Sequence, residues 1–194
     1  MRDIVTERLV LRPLQLDHVP AFAAYRSHPD VARYQSWDTT YSPADAERLV
    51  ASQDGVELGH PGPWVQLAAL DRVSGALCGD CAVRVATDQP RTAEVGVAFA
   101  PAKQGTGLAT EALGAVVAEL FERHDAHRVY AQADDRNLPV HRLLERLGFR
   151  CEARLVEADW FKGEWTTPRI YATLRREWRQ TRGALGGAPR AGRT

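Results

Sequence analysis

The chain has 194 residues, of which 44% are hydrophobic and 26% charged, the proportions of a soluble globular domain rather than of a disordered or fibrous chain. Its 25 basic and 25 acidic side chains cancel, so no basic excess points to nucleic acid or a membrane surface as the principal partner. Three cysteines do not make a disulfide framework, no apolar run reaches the roughly 18 residues of a membrane span, and Met1 to Arg8 has no signal-peptide core. The expected location is the cytoplasm. Lys103 and Lys162 are the sole lysines, and this preference for Arg, with abundant Ala, is the coding bias of a high-GC bacterial genome.

In chain order, Leu9 to Leu11 reads as a strand closed by Pro13, and a helix is expected from Asp17 as N-cap through Val19, Phe22, Ala23 and Arg26. A short helical piece follows over 31–34. Ser42-Pro43-Ala44-Asp45 opens another helix, with an N-cap, Pro at the first helical position and an acidic first turn. Trp64 to Leu70, Leu77 to Val85 and Thr92 to Ala100 read as strands separated by turn-rich segments. Leu113, Val116, Val117, Leu120 and Phe121 share one helical face. Arg128 to Ala133 is a strand, Val140 to Leu147 a helix stopped by Gly148, and 149–157 and 169–174 the last two strands. The order predicts an α/β (α+β) architecture, a mixed sheet with helices on both faces and one right-handed parallel crossover from Thr92 to Ala133. Residues 1–178 form a single domain on this reading, and 179–194 a structureless tail.

Gln104-Gly105-Thr106-Gly107-Leu108-Ala109 lies between a strand and the clearest amphipathic helix. A glycine-bearing turn there presents free backbone N–H groups and the positive end of the helix dipole to one point, which suits a diphosphate; an ordinary strand-to-helix loop is the plainer alternative. A P-loop is excluded, since Leu108-Ala109 stands where Lys-Ser/Thr would follow the last Gly. A dinucleotide fold would need more chain than remains after Asp134. Cys78-Gly79-Asp80-Cys81 falls in a strand, where positions three apart face opposite ways, and has neither the helix terminus of a redox motif nor the second pair of a zinc site. No metal is expected. Glu111 reads as a carboxylate complementing the helix dipole.

The run 104–109 matches the Q/R-x-x-G-x-G/A signature of the GCN5-related N-acetyltransferases (GNAT), and its neighbours sharpen the likeness. Thr6-Glu7-Arg8-Leu9-Val10-Leu11-Arg12-Pro13, Ala93-Glu94-Val95-Gly96, Asn137 with Leu144-Glu145-Arg146-Leu147-Gly148-Phe149, and Phe161-Lys162-Gly163-Glu164-Trp165 resemble successive segments of the RimJ/RimL-like branch. The likeness runs from about Thr6 to Trp178. It implies a mostly antiparallel sheet of about seven strands with a splayed parallel central pair, acetyl-CoA as cosubstrate, a primary amine as acceptor, and a homodimer as a common form. It places the diphosphate at Gln104, Gly105, Thr106, Gly107, Leu108, Ala109 and Thr110, and the pantetheine arm against Val97, Ala98 and Phe99 and on the Asn137 side chain, which also reads as an N-cap.

Acetyl transfer needs a neutral nitrogen, an oxyanion donor and a route for protons. Period-two geometry puts Glu94, Gly96 and Ala98 on one face of their strand, which makes Glu94 the candidate base, against a structural role paired to one of many arginines. The branch's serine and tyrosine are replaced by Val140 and Leu144. His141 is the substitute acid, against a bland surface histidine. Tyr34, Trp37, Asp38, Asp159 and Trp160 are candidate acceptor contacts, as aromatic walls with acids suit a cationic amine; packing aromatics and exposed acids are the alternative. The missing serine and tyrosine also leave open a second reading, a non-catalytic CoA-binding or interaction module.

Overall fold

The structure, a computed structural model, describes residues 1–186, with side chains as far as 180. Its main sheet comprises β1 (Ile4–Val5), β2 (Leu9–Pro13), β3 (Val65–Asp71), β4 (Leu77–Val85), β5 (Thr92–Phe99), β6 (Arg128–Asp134), β7 (Arg150–Arg154) and β10 (Pro168–Leu174). Their spatial order is β1-β2-β3-β4-β5-β6-β10-β7. Every neighbouring pair is antiparallel except β5 and β6, which are parallel and joined by the crossover helix α4 (Leu108–Glu122). The short strands β8 (Asp159–Phe161) and β9 (Glu164–Thr166) form a separate hairpin. Its turn is Lys162-Gly163, with φ of 50° and 84°, the positive pair a two-residue type I′ turn requires.

The two sheet faces carry separate cores. Leu113, Val116, Val117, Leu120 and Phe121 of α4 are essentially sealed against Val83, Ala93, Val95 and Phe99. Each such side chain contributes about 1.5–3 kcal/mol on removal from water, an upper bound because unfolded chains are partly compact. On the other face α1 (Val19–Arg26), α2 (Pro29–Ala32) and α3 (Pro43–Ala51) bring Val19, Phe22, Tyr25, Val31 and Ala46 onto Ala68, Leu70 and Ala98. The α3 cap is reciprocal: Asp45 N–H donates to Ser42 Oγ and Ser42 N–H to the Asp45 carboxylate at 2.8 Å. Asn137 caps α5 (Leu138–Arg146), which Gly148 ends with φ 79°.

Four expectations change. The first helix starts at Val19 rather than from an Asp17 cap, because Gln15 caps a 3-10 turn over Leu16–His18 that leads into it. The segment 155–166 holds the β8–β9 hairpin instead of a plain turn. Cys78 and Cys81 share one core: Ala69 pairs with Gly79 but Leu70 with Leu77, so Cys78 is an extra residue that reverses the alternation. The chain beyond 178 continues as helix α6 (Arg175–Gly186), on which Trp178 is buried against Phe121 with ring centroids 6.1 Å apart. The remainder of the expected tail, 187–194, lies outside the described residues.

Candidate active site

The turn before α4 is exposed and built to present amides. Gly105 and Gly107 have φ of 73° and 82°, the left-handed region that side chains resist. Glu111 N–H donates to Gly107 O at 3.0 Å, starting the helix, while no protein group among the described residues accepts the N–H groups of 105–110. Six consecutive amides at the N-terminus of a 15-residue helix make a concentrated positive site for an anion. Gln104 braces the turn from the other side, its Nε2 donating to Phe99 O at 2.9 Å.

Directly beside this turn the sheet opens. The parallel ladder consists of Thr92↔Arg128, Ala93↔Val129 and Glu94↔Tyr130, and then stops although both strands continue. Beyond Val95 the β5 edge facing β6 therefore has no ladder partner; Phe99 O takes Gln104 Nε2, and the Val97 N–H and C=O are left to receive an extended chain as another strand. Val97, Ala98 and Phe99 all lie on this open stretch.

The last rung is also the most polar. Glu94 lies opposite Arg84 on β4, and Glu94 Oε2 takes Arg84 Nη2 at 2.5 Å and the Tyr130 hydroxyl at 3.1 Å. Burial, then the Glu94 carboxylate, raises the Tyr130 phenol above its usual pKa. Glu94 Oε1 has no hydrogen-bond partner among the described residues. Further along the same face come Ala82↔Gly96, a flat rung of small residues, and then Asp80↔Ala98. Asp80 is buried under α1, where it accepts from the Tyr25 hydroxyl, Gln66 Nε2 and Arg26 Nη2, the last at 3.0 Å. The Arg26 guanidinium is held between the rings of Phe22 and Trp37, 4.1 and 3.8 Å from their centroids. Burial alone would lower the Arg26 pKa; Asp80, Tyr25 and Tyr41 together outweigh it and raise it. Burial, reinforced by Asp80, pushes the Tyr25 phenol well up.

Other expected site residues are distributed unevenly. The Asn137 side chain caps α5 through Val140 N–H at 3.5 Å. His141 is not a surface residue: it is buried, stacked on Tyr171 at 5.3 Å, with Nε2 3.2 Å from Asp135 O and Nδ1 unpartnered. Leu144 is fully buried. Trp37 is committed to packing on Arg26 and donates Nε1 to Arg26 O at 3.1 Å. Asp38 pairs with Lys162 at 3.2 Å, and Lys162 also donates to Ala32 O and Trp37 O, tying the β8–β9 hairpin to the segment after α2. The Tyr34 hydroxyl reaches Arg136 O at 3.5 Å, and Arg136 in turn pairs with Glu164 on the hairpin. Asp159 is exposed, and Trp160 is exposed with its ring edge-on to Trp165.

Residues 8–150 match the family described as the acetyltransferase (GNAT) domain. The chain belongs to the GNAT acetyltransferases. An uncharacterized N-acetyltransferase, p20 of Bacillus licheniformis, is 24% identical over 178 residues, 92% of this chain and 99% of its own. Among solved structures, RimL, a ribosomal L7/L12 α-N-protein acetyltransferase in complex with coenzyme A, superposes with a TM-score of 0.78 at 18% identity, covering 89% of this chain and 98% of its own. Spermidine N-acetyltransferase from Vibrio cholerae, in complex with CoA and spermine, does so at 0.77 and 20%, covering 89% and 99%. These neighbours share the fold of this GNAT chain.

Three features of this acetyltransferase went unread in its sequence. Arg84 and Tyr130 join Glu94 through register, and the Arg84 partnership was accessible by counting back from the 86–91 turn. The Asp80 cluster had a signal, an acid in the middle of the apolar run Leu77–Val85, which must find partners if both faces are covered. Glu111 does more than complement a dipole, since Thr6 Oγ1, Arg8 N–H and Arg8 Nε all donate to it. Among the described residues no group of His, Cys, Asp or Glu has a metal-binding arrangement, and no helix is long and apolar enough to cross a membrane.

Proposed function

We propose that this enzyme moves the acetyl group of acetyl-CoA to a primary amine, a protein N-terminal α-amine or a small-molecule amine, by direct attack on the thioester. The observation that carries the proposal is the run of unaccepted amides at 105–110 beside a parallel ladder that ends at Glu94. The amides of Gly105 to Thr110 take the diphosphate, and the pantetheine arm pairs with the free edge at Val97 to Phe99, within reach of Asn137. That arm brings the carbonyl onto the Ala82–Gly96 rung, where a backbone N–H near Val97 or Ala98 supports the oxyanion.

Glu94 acts as general base through water. Arg84 and Tyr130 fix Oε2, and Oε1 is the oxygen left to take the proton. An α-amine with a pKa near 8 is already partly neutral, so a weak base suffices. His141 was the candidate acid. To donate to Asp135 O its Nε2 carries the proton, and Nδ1 then holds a lone pair, a tautomer inferred from that contact; this argues against proton donation. A thiolate of pKa near 8.5 leaves without a dedicated acid. The acceptor approaches between the segment after α2 and the β8–β9 hairpin, past Tyr34, Asp159 and Trp160, while Trp37 and Asp38 shape that wall from behind. RimL and the spermidine enzyme take acceptors of both kinds. Incubation with acetyl-CoA, a thiol reagent and a panel of peptides and polyamines tests the proposal: thiol release dependent on one class of amine is expected, and stabilisation by CoA with no turnover on any amine would refute it in favour of a binding module.

A further inference from the structure

Arg8 lies far from the diphosphate turn in sequence and against it in space. A tight turn at Thr6–Leu9, closed by Thr6 N–H to Leu9 O at 2.9 Å and Leu9 N–H to Thr6 Oγ1 at 2.9 Å, holds it at the start of β2. Arg72 steadies the same turn, with its N–H on Arg8 O at 2.9 Å and Nη1 on Thr6 O at 3.2 Å. From there Arg8 Nε donates to Glu111 Oε2 at 2.6 Å and Nη1 to Thr106 O at 3.0 Å. Its Nη2 lies 3.5 Å from where a β-carbon on Gly107 would stand.

We propose that Arg8 is a positioning residue for the diphosphate of acetyl-CoA, an inference that rests on the function proposed above. A trans peptide points its C=O and N–H in opposite directions. Pinning Thr106 O toward β2 therefore turns Gly107 N–H the other way, toward the anion. With Thr106 O free, that unit can rotate, since glycine at 107 resists little, and a carbonyl oxygen then faces the phosphates. Arg8 also covers a hazard. Glu111 puts a full negative charge in the first turn of the helix meant to hold an anion, and the guanidinium cancels it at contact distance. Thr6 and Arg8 together hold the Glu111 carboxyl below the usual range against the opposing effect of its burial.

The test compares acetyl-CoA with S-acetylpantetheine, which carries the thioester but no phosphate, on wild type, Arg8→Gln and Arg8→Lys. Wild type should favour acetyl-CoA. Arg8→Gln should raise KM for acetyl-CoA about tenfold, the worth of one charge-assisted hydrogen bond, with kcat and the KM for S-acetylpantetheine unchanged. Lysine keeps the charge beside Glu111 but loses the planar fork that serves Glu111 and Thr106 from separate nitrogens, so Arg8→Lys should show an intermediate loss with the same selectivity; it also carries the test if Arg8→Gln folds poorly. Equal losses on both donors would make Arg8 a scaffold residue and overturn the proposal, as would no loss on either. A wild type that does not discriminate the two donors would instead overturn the diphosphate assignment itself.

Discussion

The Asp80 cluster permits a quantitative test of how α1 is held on the sheet. Asp80→Ala removes the one acceptor shared by Tyr25, Gln66 and Arg26 in a place where the paired side chains are only 3% and 6% exposed. The remaining guanidinium is still charged and still clamped between Phe22 and Trp37, so it cannot move to water without unpacking α1. Removing one partner of a buried pair costs about 3–5 kcal/mol, most of it the uncompensated charge. For a chain of 194 residues, each kcal/mol shifts Tm by about 2–4 °C, which places the loss near 10 °C. Urea and thermal melts of Asp80→Ala, Arg26→Met and the double variant make the measurement. The double variant should be less destabilised than the sum of the singles by at least about 1 kcal/mol, because it leaves no orphan charge. A loss below about 1 kcal/mol in Asp80→Ala, or strict additivity, would show that water reaches the cluster and that the pair does not anchor α1 to β4.

Three further outcomes follow from the geometry. Glu94→Gln should lower kcat by about 100-fold with acetyl-CoA affinity little changed, and Tyr130→Phe should cause a smaller loss in the same parameter; initial-rate kinetics with direct binding of acetyl-CoA decides, and a Glu94→Gln enzyme of normal rate removes the base. Gly79→Ala puts a β-carbon 2.4 Å from Ala98 O and against the Phe99 ring, so it must spread β4 from β5 and should cost about 1–3 kcal/mol in a chemical melt; a neutral change would show those strands to be plastic there. Asp135, hydrogen-bonded by Arg154 and Arg169, has its carboxyl held down to about 2. Since the unfolded chain binds this proton first, near pH 4, stability should fall as pH drops from about 4 to 2, and Asp135→Asn should flatten that part of the stability profile; an unchanged slope would refute the assignment.

The elements that a single period or cap determines were legible in the sequence. The α4 stripe, the Ser42-Pro43 start of α3 and the Gly148 stop of α5 each follow from local chemistry, and each stands within a few residues of expectation. The turn before α4 was legible for the same reason, since two glycines before a helix carry their conformation locally. What depended on pairing was not. The extra residue at Cys78, the β8–β9 hairpin and the partners of Glu94 are set by which strand lies alongside, a matter of tertiary register. His141 illustrates the limit: its place on α5 gave no sign that Tyr171, thirty residues later, would cover it. Helix α6 was passed over because its polar, arginine-rich sequence shows little beyond Trp178 to bury.

Among the described residues only three strand rungs join β1–β5 to the block formed by β6, β10 and β7. Two half-sheets so lightly laced can breathe against one another, and the amides of Val97 and Phe99, which face the gap, should exchange with solvent faster than those of Gly96 and Ala98, which are paired to β4. A coenzyme arm lying in the opening would complete the lacing. It would then be a piece of architecture as well as a reagent: at a concentration 100 times its Kd it adds about 2.7 kcal/mol to the folded state, and slower amide exchange along that one strand would record its arrival.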